Sequence, residues 1–226
     1  YYCDWSSDVC SSDLSPLGAA DVASFFPSLP VLEELKCEWV APCATGAFLW
    51  AVQGLRNLKS LVLSDTAAVD VNFVSSTGWV QLLRKINIDW DESVISPDRI
   101  LHFLCNFTAT LTDLTLEVIN PFHPTAPPLL LPFLTDCRLS LFALDDMARH
   151  LRLVNASVRT LRVGDLGMDD EDWSRLLPLV RQLKTTLRKL VLQLFDAKEG
   201  RESFRGSDLC GELEELCRQQ GVELEM

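Results

Sequence analysis

The sequence predicts an α/β solenoid, in which short parallel strands alternate with helices and loops. Two observations predict this fold class. A short apolar motif, L-x-x-L-x-L, recurs along the chain at nearly constant spacing, and segments with the helical spacing of apolar residues follow most of its copies. With 48% hydrophobic residues among 226, the chain can also bury a substantial core.

The motif occurs seven times, allowing conservative apolar substitutions. Its copies begin at Leu32, Leu58, Leu83, Leu111, Leu134, Val158 and Leu187, in steps of 26, 25, 28, 23, 24 and 29 residues. Leucine-rich repeats have periods of about 20–29 residues. We therefore predict a leucine-rich-repeat domain of about seven to eight irregular repeats over residues 15–226. Such a domain is a horseshoe with a parallel sheet on its concave face and irregular helices and loops on its convex face.

Helical spacing predicts the outer elements of the repeats. Ser96 and Pro97 are typical of an N-cap and a first helical residue, and acidic residues 169–172 favour the start of another helix. The apolar positions assigned to helices are Phe48, Leu49, Val52 and Leu55; Phe73, Trp79 and Leu82; Ile100, Leu101, Leu104 and Phe107; Leu144, Met147, Leu151 and Val154; and Trp173, Leu176, Leu177, Val180 and Leu183.

The repeat between Leu116 and Leu134 departs from this pattern. Prolines at 121, 124, 127, 128 and 132 exclude a regular helix there, so we predict an extended connection with residues 129–131 in the core. The P-x-x-P spacing would alternatively suit a peptide that binds an aromatic-lined groove. Pro-rich connections are common in irregular repeats, and we favour the first interpretation.

The last residues predict a closing helix and strand. Leu209, Leu213, Leu216 and Cys217 lie on one helical face, and Gly221 is expected to end the helix. Residues 222–226 alternate apolar and charged side chains, as in a short edge strand with charged outward positions. We expect this to be the natural C-terminus of the protein.

Residues 1–14 have a different character. They are rich in Ser and Asp, without helical or strand periodicity, and the stretch DVCSSDL at residues 8–14 resembles a translated sequencing adapter. The alternative is a genuine disordered tail. In both cases we expect residues 1–14 to make no contacts with the repeats, and we expect the natural N-terminus to lie upstream.

Composition limits the classes of function and the compartment. A formal charge of −12 disfavours binding to nucleic acid, and no apolar run is long enough to predict a membrane-spanning helix. The cysteines form no C-x-x-C pair, and outside residues 1–14 most fall at apolar positions of the repeat. We predict free thiols rather than disulfides, and hence a reducing cytoplasmic or nuclear location.

No motif predicts catalysis or a bound cofactor. The sequence contains none of the common nucleophile, phosphate-loop, dinucleotide or zinc-protease motifs, so we predict that the protein is not an enzyme. The histidines, His102, His123 and His150, fall in different repeats. Asp146 and His150 are four residues apart on a predicted helix, but a metal site needs a third ligand. We predict no metal and no cofactor.

The concave face is the most informative predicted surface. The fourth and sixth residues of each motif should face the core, so the third, fifth and seventh residues should face the concave side. These columns mix charged and small polar residues, which suits a protein or peptide ligand. The predicted cluster is Lys85, Asn87, Asp113, Thr115, Asp136, Arg138 and Arg162. The same columns contain Val62, Glu117, Ser140, Gly164, Lys189, Val191 and Gln193. The alternative is that these residues only keep the sheet hydrated.

The repeats, and the ending LEELCRQQGVELEM at residues 213–226, resemble the leucine-rich-repeat region of basidiomycete F-box/leucine-rich-repeat proteins. In that family an F-box module docks on the ubiquitin-ligase scaffold and the repeats hold the substrate. The resemblance implies substrate recognition in a ubiquitin-ligase adaptor. No segment of this chain resembles an F-box, since Leu29 and Pro30 already belong to the first repeat, so binding to the scaffold is expected only if an F-box lies upstream.

A second function class remains open from the sequence. The chain could be a structural or non-functional truncated fragment without a ligand. An F-box-like segment encoded upstream and in frame would favour the adaptor, whereas a stop codon or unrelated sequence would favour the fragment.

Overall fold

The computed structural model describes residues 2–4, 31–38, 52–64, 79, 82–90, 97–118, 125–140, 148–166, 170–194 and 208–226. The fold is α/β, and its repeat strands are parallel. The chain divides into two compact units, Tyr1–Thr115 and Leu116–Met226.

The first unit contains a run of paired strands. They are β1 (Tyr2–Asp4), β2 (Glu34–Glu38), β3 (Ser60–Ser64) and β4 (Lys85–Trp90). β2, β3 and β4 pair in parallel in that order, and β1 pairs antiparallel with the outer edge of β2. Helix α1 (Pro97–Cys105) follows, and β5 (Asp113–Val118) begins in this unit and ends in the next.

The second unit continues the alternation of strand and helix. Its strands are β6 (Asp136–Ser140), β7 (Thr160–Leu166), β8 (Lys189–Leu194) and β9 (Glu223–Glu225). They pair in parallel in chain order. A short 3-10 helix (Leu153–Asn155) precedes β7, α2 (Asp170–Gln182) precedes β8, and α3 (Asp208–Gln220) precedes β9.

The predicted motif strands are confirmed. Each of the seven copies enters a strand, β2 to β8, at its third residue. The first and fourth motif residues are buried in every copy, and so are the sixth residues that the structure describes, from Ile88 to Leu192. The strands are therefore amphipathic with period two, and their motif leucines form the core.

A repeated backbone contact sets the register between neighbouring strands. The carbonyl of the second motif residue accepts two hydrogen bonds from successive N–H groups in the next repeat. Glu33 accepts from Lys59 and Ser60 at 2.7 and 3.0 Å, and Arg159 accepts from Arg188 and Lys189 at 2.7 and 2.9 Å. The same arrangement links residue 59 to residues 84 and 85, residue 84 to residues 112 and 113, and residue 135 to residues 159 and 160. The strands linked in this way start level with one another, although their connections differ in length.

Helix α1 begins at Pro97, as the sequence predicts. Its apolar positions and the following Phe107 are buried. Trp79 packs edge-on against Phe103 and Phe107, with ring centroids 5.2 and 5.6 Å apart. These T-shaped contacts are favourable beyond simple apolar burial, and they attach the helix to Trp79, six residues before β4.

Helix α2 also forms as predicted, with Leu176, Leu177 and Val180 buried and Leu183 buried just after its end. Two other helix predictions fall partly outside the described residues. Residues 52–54 are helical, and Val52 and Leu55 are buried as expected. Residues 148–150 are helical as well, but a turn at residues 151–152 separates them from the 3-10 helix, so the predicted helix does not continue through residue 154.

Some apolar positions assigned to helices are not where the sequence placed them. Leu82 is 67% exposed and lies in an irregular segment directly before β4. The assignments to Phe48, Leu49, Phe73, Leu144 and Met147 fall outside the described residues.

The Pro-rich connection has no helix over its described part, residues 125–133. The prediction of a core at residues 129–131 is correct for Leu131 only. Leu131 is fully buried, whereas Leu130 is 38% exposed. The backbone N–H of Leu129 donates to the carbonyl of His150 at 2.6 Å, which holds this segment against the next one. Successive side chains of an extended chain point to opposite sides, so all three would be buried only if both sides of the segment were covered.

The C-terminal helix ends as predicted. Gly221 has φ of +67°, and its N–H donates to Arg218 while the N–H of Val222 donates to Cys217 at 2.9 Å. This pair of bonds is a Schellman motif, in which a left-handed residue satisfies the last helical carbonyls. β9 then pairs with β8, so the predicted final strand is confirmed.

The expectation that residues 1–14 make no contacts is wrong for Tyr2–Asp4. These residues form β1 on the edge of β2, with Cys3 opposite Cys37. Backbone pairing needs no apolar side chains, which explains why the composition did not indicate it. Residues 5–14 lie outside the described part of the chain.

The cysteines that the structure describes support the prediction of free thiols. Cys137, Cys210 and Cys217 are free and buried, and Cys105 is free and exposed at the end of α1. Burial, with the nearby Asp136 charge adding to it, raises the pKa of the Cys137 thiol to about 12. Within the described residues, no helix combines the length and the apolar character needed to cross a membrane.

Candidate functional site

The predicted partner-binding residues divide between the two units. Lys85, Asn87, Asp113 and Thr115 lie in the first unit, on β4 and β5. Lys85 is exposed, and the other three side chains are partly exposed beside the buried Ile86 and Leu114. They therefore lie on the side of their strands opposite the core, as the alternation predicts.

Asp136, Arg138 and Arg162 lie in the second unit, where the structure brings them together. Register places Arg138 directly opposite Arg162 on neighbouring parallel strands. Two like charges in that position repel each other. Each arginine has an acidic partner that offsets this repulsion: Arg162 contacts Asp136 at 2.7 Å, and Arg138 contacts Glu117 at 2.9 Å.

A third cation extends the same face. The ammonium of Lys189 on β8 contacts Glu225 at 2.6 Å and Glu223 at 3.2 Å, both on β9. Hydrogen bonds to these carboxylates raise the pKa of Lys189, and the hydrogen bond from Lys189 lowers the pKa of Glu225. All of these side chains are exposed to solvent, so the pairs contribute little to stability.

We call this surface of the second unit the charged face. Its members lie on strands β5 to β9, and each takes part in an ion pair. On β5 to β8 they alternate with buried motif residues. They are Glu117, Asp136, Arg138, Arg162, Lys189, Glu223 and Glu225. Three are cationic and four are anionic, so the charged face presents alternating charges with a net charge of only −1.

Arg138 has an additional feature. Its Nε is buried and has no hydrogen-bond partner among the described residues. The space beside it lies over Gly164, where a Cβ would stand 3.9 Å from this Nε and 3.7 Å from the side-chain oxygen of Gln193. The absence of a side chain at Gly164 therefore leaves a small gap next to an unused guanidinium donor.

Two parts of the site prediction need correction. Val62, Val191 and Ser140, which belong to the predicted concave columns, are buried. Burial of a small or apolar side chain depends on side chains of adjacent strands as well, and alternation within one strand does not reveal these. Conversely, Glu223 and Glu225 were not among the predicted site residues, although the charged alternation of residues 222–226 could have indicated them.

Other candidate sites give no support for chemistry. Over the described ranges, no group of three or more His, Cys, Asp or Glu side chains could hold a metal ion. His102 and His150 lie on α1 and on the turn at residues 148–150. His123 and Asp146 fall outside the described residues.

Comparison of the chain with models of known protein families and with curated proteins gives no match.

Proposed function

We propose that this chain is a leucine-rich-repeat horseshoe that binds a protein or peptide on its concave sheet face and has no catalytic activity of its own. The single observation that carries the proposal is the charged face, where consecutive strands present ion pairs in register. Solenoids of this class typically recognise partners with the extended surface of neighbouring repeats.

The charge arrangement favours a protein partner over a uniformly charged one. Alternating cations and anions would attract complementary charges of a partner and penalise a shifted register. A nucleic acid would meet four carboxylates on this face.

We further propose that the chain recognises substrates for a ubiquitin-ligase adaptor. This step rests on the resemblance of the repeats and of residues 213–226 to F-box/leucine-rich-repeat proteins. On this proposal the chain holds the substrate, and an F-box encoded upstream would bind the ligase scaffold. A longer chain that includes such an F-box segment should capture the scaffold, whereas the present chain should capture the substrate alone.

A charge swap tests the partner-binding surface. In the double variant Asp136→Arg with Arg162→Asp, the ion pair can re-form and the net charge is unchanged, so the fold should persist. The order of charges is reversed, however, and a partner matched to the native order should be lost. We expect the double variant to lose the proteins that the wild type captures from a lysate of the source cells. With a purified partner, calorimetry should show that the double variant binds at least about tenfold more weakly than the wild type.

The matched control swaps the exposed pair Arg181 and Glu212, which joins α2 to α3. Arg181→Glu with Glu212→Arg should leave capture and affinity unchanged. Circular dichroism and the melting temperature of both variants establish that they are folded. If both swaps leave the captured set unchanged, the charged face only keeps the sheet hydrated and the proposal is wrong.

A further inference from the structure

The Pro-rich connection before β6 presents a group of apolar side chains to solvent. We call residues 127–133 the proline segment. Its exposed apolar residues are Pro127, Pro128, Leu130, Pro132 and Phe133. Among the described residues four large apolar side chains are exposed, and Leu130 and Phe133 are two of them. Single exposed apolar residues are normal on a protein surface, whereas a contiguous group indicates an interaction surface.

Exposure along the proline segment follows a spacing of three residues. Pro127, Leu130 and Phe133 are exposed, whereas Leu131 and Leu134, each directly after a member of that series, are buried. In the sequence the same spacing extends back to the prolines at 124 and 121, which lie outside the described residues. A polyproline II helix has three residues per turn, so every third side chain lies on one side. The spacing thus predicts an outward apolar row opposite the anchoring leucines.

The prolines restrict the backbone of this segment before any partner binds. A proline ring fixes φ near about −65°, and a residue before proline favours extended or polyproline II conformations. Residues 126–128, 131 and 132 are each restricted in one or both of these ways. Residues 125–131 form neither helix nor strand. A partner that binds this segment would therefore remove little further backbone freedom, which favours affinity.

Hydrogen bonds within the second unit hold the end of the proline segment. The N–H of Leu134 donates to the carbonyl of Leu131 at 3.1 Å, which closes a turn with Pro132 and Phe133 at its centre. Proline is favoured at the second position of such a turn. The hydroxyl of Ser157 donates to the carbonyl of Pro132 at 3.1 Å. Phe133 is therefore held at the tip of an anchored turn, and it is 55% exposed.

We propose that the proline segment binds the aromatic-lined groove of a proline-recognising protein domain, of the kind found in SH3, WW and EVH1 domains. Such grooves recognise a preformed Pro-rich segment through aromatic contacts. Residues 125–135 contain no charged side chain, so an apolar groove matches them better than a charged surface does. The segment precedes β6 and contributes no member of the charged face, which makes it a second binding surface.

NMR titration of isolated, ¹⁵N-labelled WW, SH3 and EVH1 domains with the unlabelled full chain tests the proposal. We expect at least one of these domains to bind, with the largest shift changes in its aromatic groove. A poly-L-proline peptide that occupies the groove should compete with the chain. If none of the domains binds, or if the peptide does not compete, the proposal is wrong.

The decisive variant is the double substitution Pro127→Ala with Pro128→Ala. Both side chains are exposed, so the fold should persist. Affinity for the domain should fall at least about tenfold, because the proline contacts and the restricted backbone are both lost. Phe133→Ser should weaken binding as well. Circular dichroism and the melting temperature establish that each variant is folded.

The matched control is Leu82→Ser, which removes another exposed apolar side chain, in the first unit. It should leave the affinity unchanged. An equal loss in this control would mean that binding follows exposed apolar surface in general, and undiminished binding by the double proline variant would equally overturn the proposal. Dimerisation of the wild type in sedimentation velocity that Phe133→Ser abolishes would assign the surface to a second copy of the chain instead.

Discussion

At the scale of single residues, burial decides which chemistry a side chain can perform. Cys137 takes the place of a leucine in its motif and is fully buried, whereas Cys105 ends α1 in an exposed position. Removing a thiolate from water is unfavourable, and this is the main reason that the pKa of Cys137 rises to about 12. The same residue type is thus an inert core group in one place and an accessible thiol in another.

We predict that Cys105 reacts with iodoacetamide much faster than Cys137 in the native protein. The raised pKa of Cys137 means that this residue remains a thiol between about pH 7 and pH 9, the range around the ordinary cysteine pKa of about 8.5. Only the thiolate is a strong nucleophile. Raising the pH across this range should therefore accelerate the alkylation of Cys105 far more than that of Cys137. Peptide mapping by mass spectrometry measures each site separately, and equal rates after denaturation provide the control. Comparable native rates would contradict the burial of Cys137.

At the scale of one element, helix α3 shows how a single backbone angle ends a helix and positions the next strand. Gly221 takes the left-handed conformation, its neighbours satisfy the last carbonyls, and the chain turns directly into β9. Because β9 carries Glu223 and Glu225, this turn also determines where two members of the charged face lie.

Alanine substitutions at Gly211, within α3, and at Gly221, just after it, should change the stability of the protein in opposite directions. At Gly221 a side chain is strained by the positive φ, so Gly221→Ala should cost about 1 kcal/mol and lower the melting temperature by about 2–4 °C. At Gly211, within the helix, a Cβ would meet nothing within 4 Å. Gly211→Ala should therefore stabilise the protein by about 0.5–1 kcal/mol.

Thermal unfolding followed by circular dichroism measures both variants. The two substitutions add the same methyl group to the same part of the chain, so each serves as the control for the other. A loss of stability at Gly211, or none at Gly221, would contradict the geometry of α3.

At the scale of the whole molecule, both units are built from similar paired strands, and strand edges need protection. In the second unit, β9 is a three-residue strand with charged side chains. In the first unit, β1 covers the edge of β2 by antiparallel pairing. Open strand edges bind further strands of other molecules. Val31, directly before the first copy of the motif, is 69% exposed and adds apolar surface near this edge.

We predict that deleting residues 1–14 increases self-association. The deletion removes β1 and leaves one side of β2 unpaired, so copies of the chain can pair there. Sedimentation velocity at about 10–50 µM, a range chosen because exposed apolar and strand surfaces drive association, should show larger species than for the full chain.

The point variant Cys3→Pro separates strand pairing from other effects of the segment. Proline cannot donate to a strand ladder, so this variant should associate like the deletion while keeping the charges of residues 1–14. Identical sedimentation of all three proteins would show that β1 does not protect this edge.

The sequence by itself determined which residues of each strand face the core. The motif repeats every 23–29 residues and strands alternate with period two, so local pattern was sufficient to place the buried leucines and the strands β2 to β8. The end of α3 at Gly221 was equally predictable, because a left-handed helix terminus favours glycine through sterics alone. The residues predicted to bind a partner lie on the side of their strands opposite the buried leucines, and alternation fixes both sides at once.

The tertiary structure alone decided which of those residues act together. Arg162 contacts Asp136, Arg138 contacts Glu117, and Lys189 contacts β9, and these choices depend on register and side-chain direction between residues far apart in sequence. The burial of Val62 and Val191 and the pairing of β1 likewise arise from packing between elements. Periodicity within one strand carries no information about a neighbour, and so it fixes the side of the sheet but not the contacts on it.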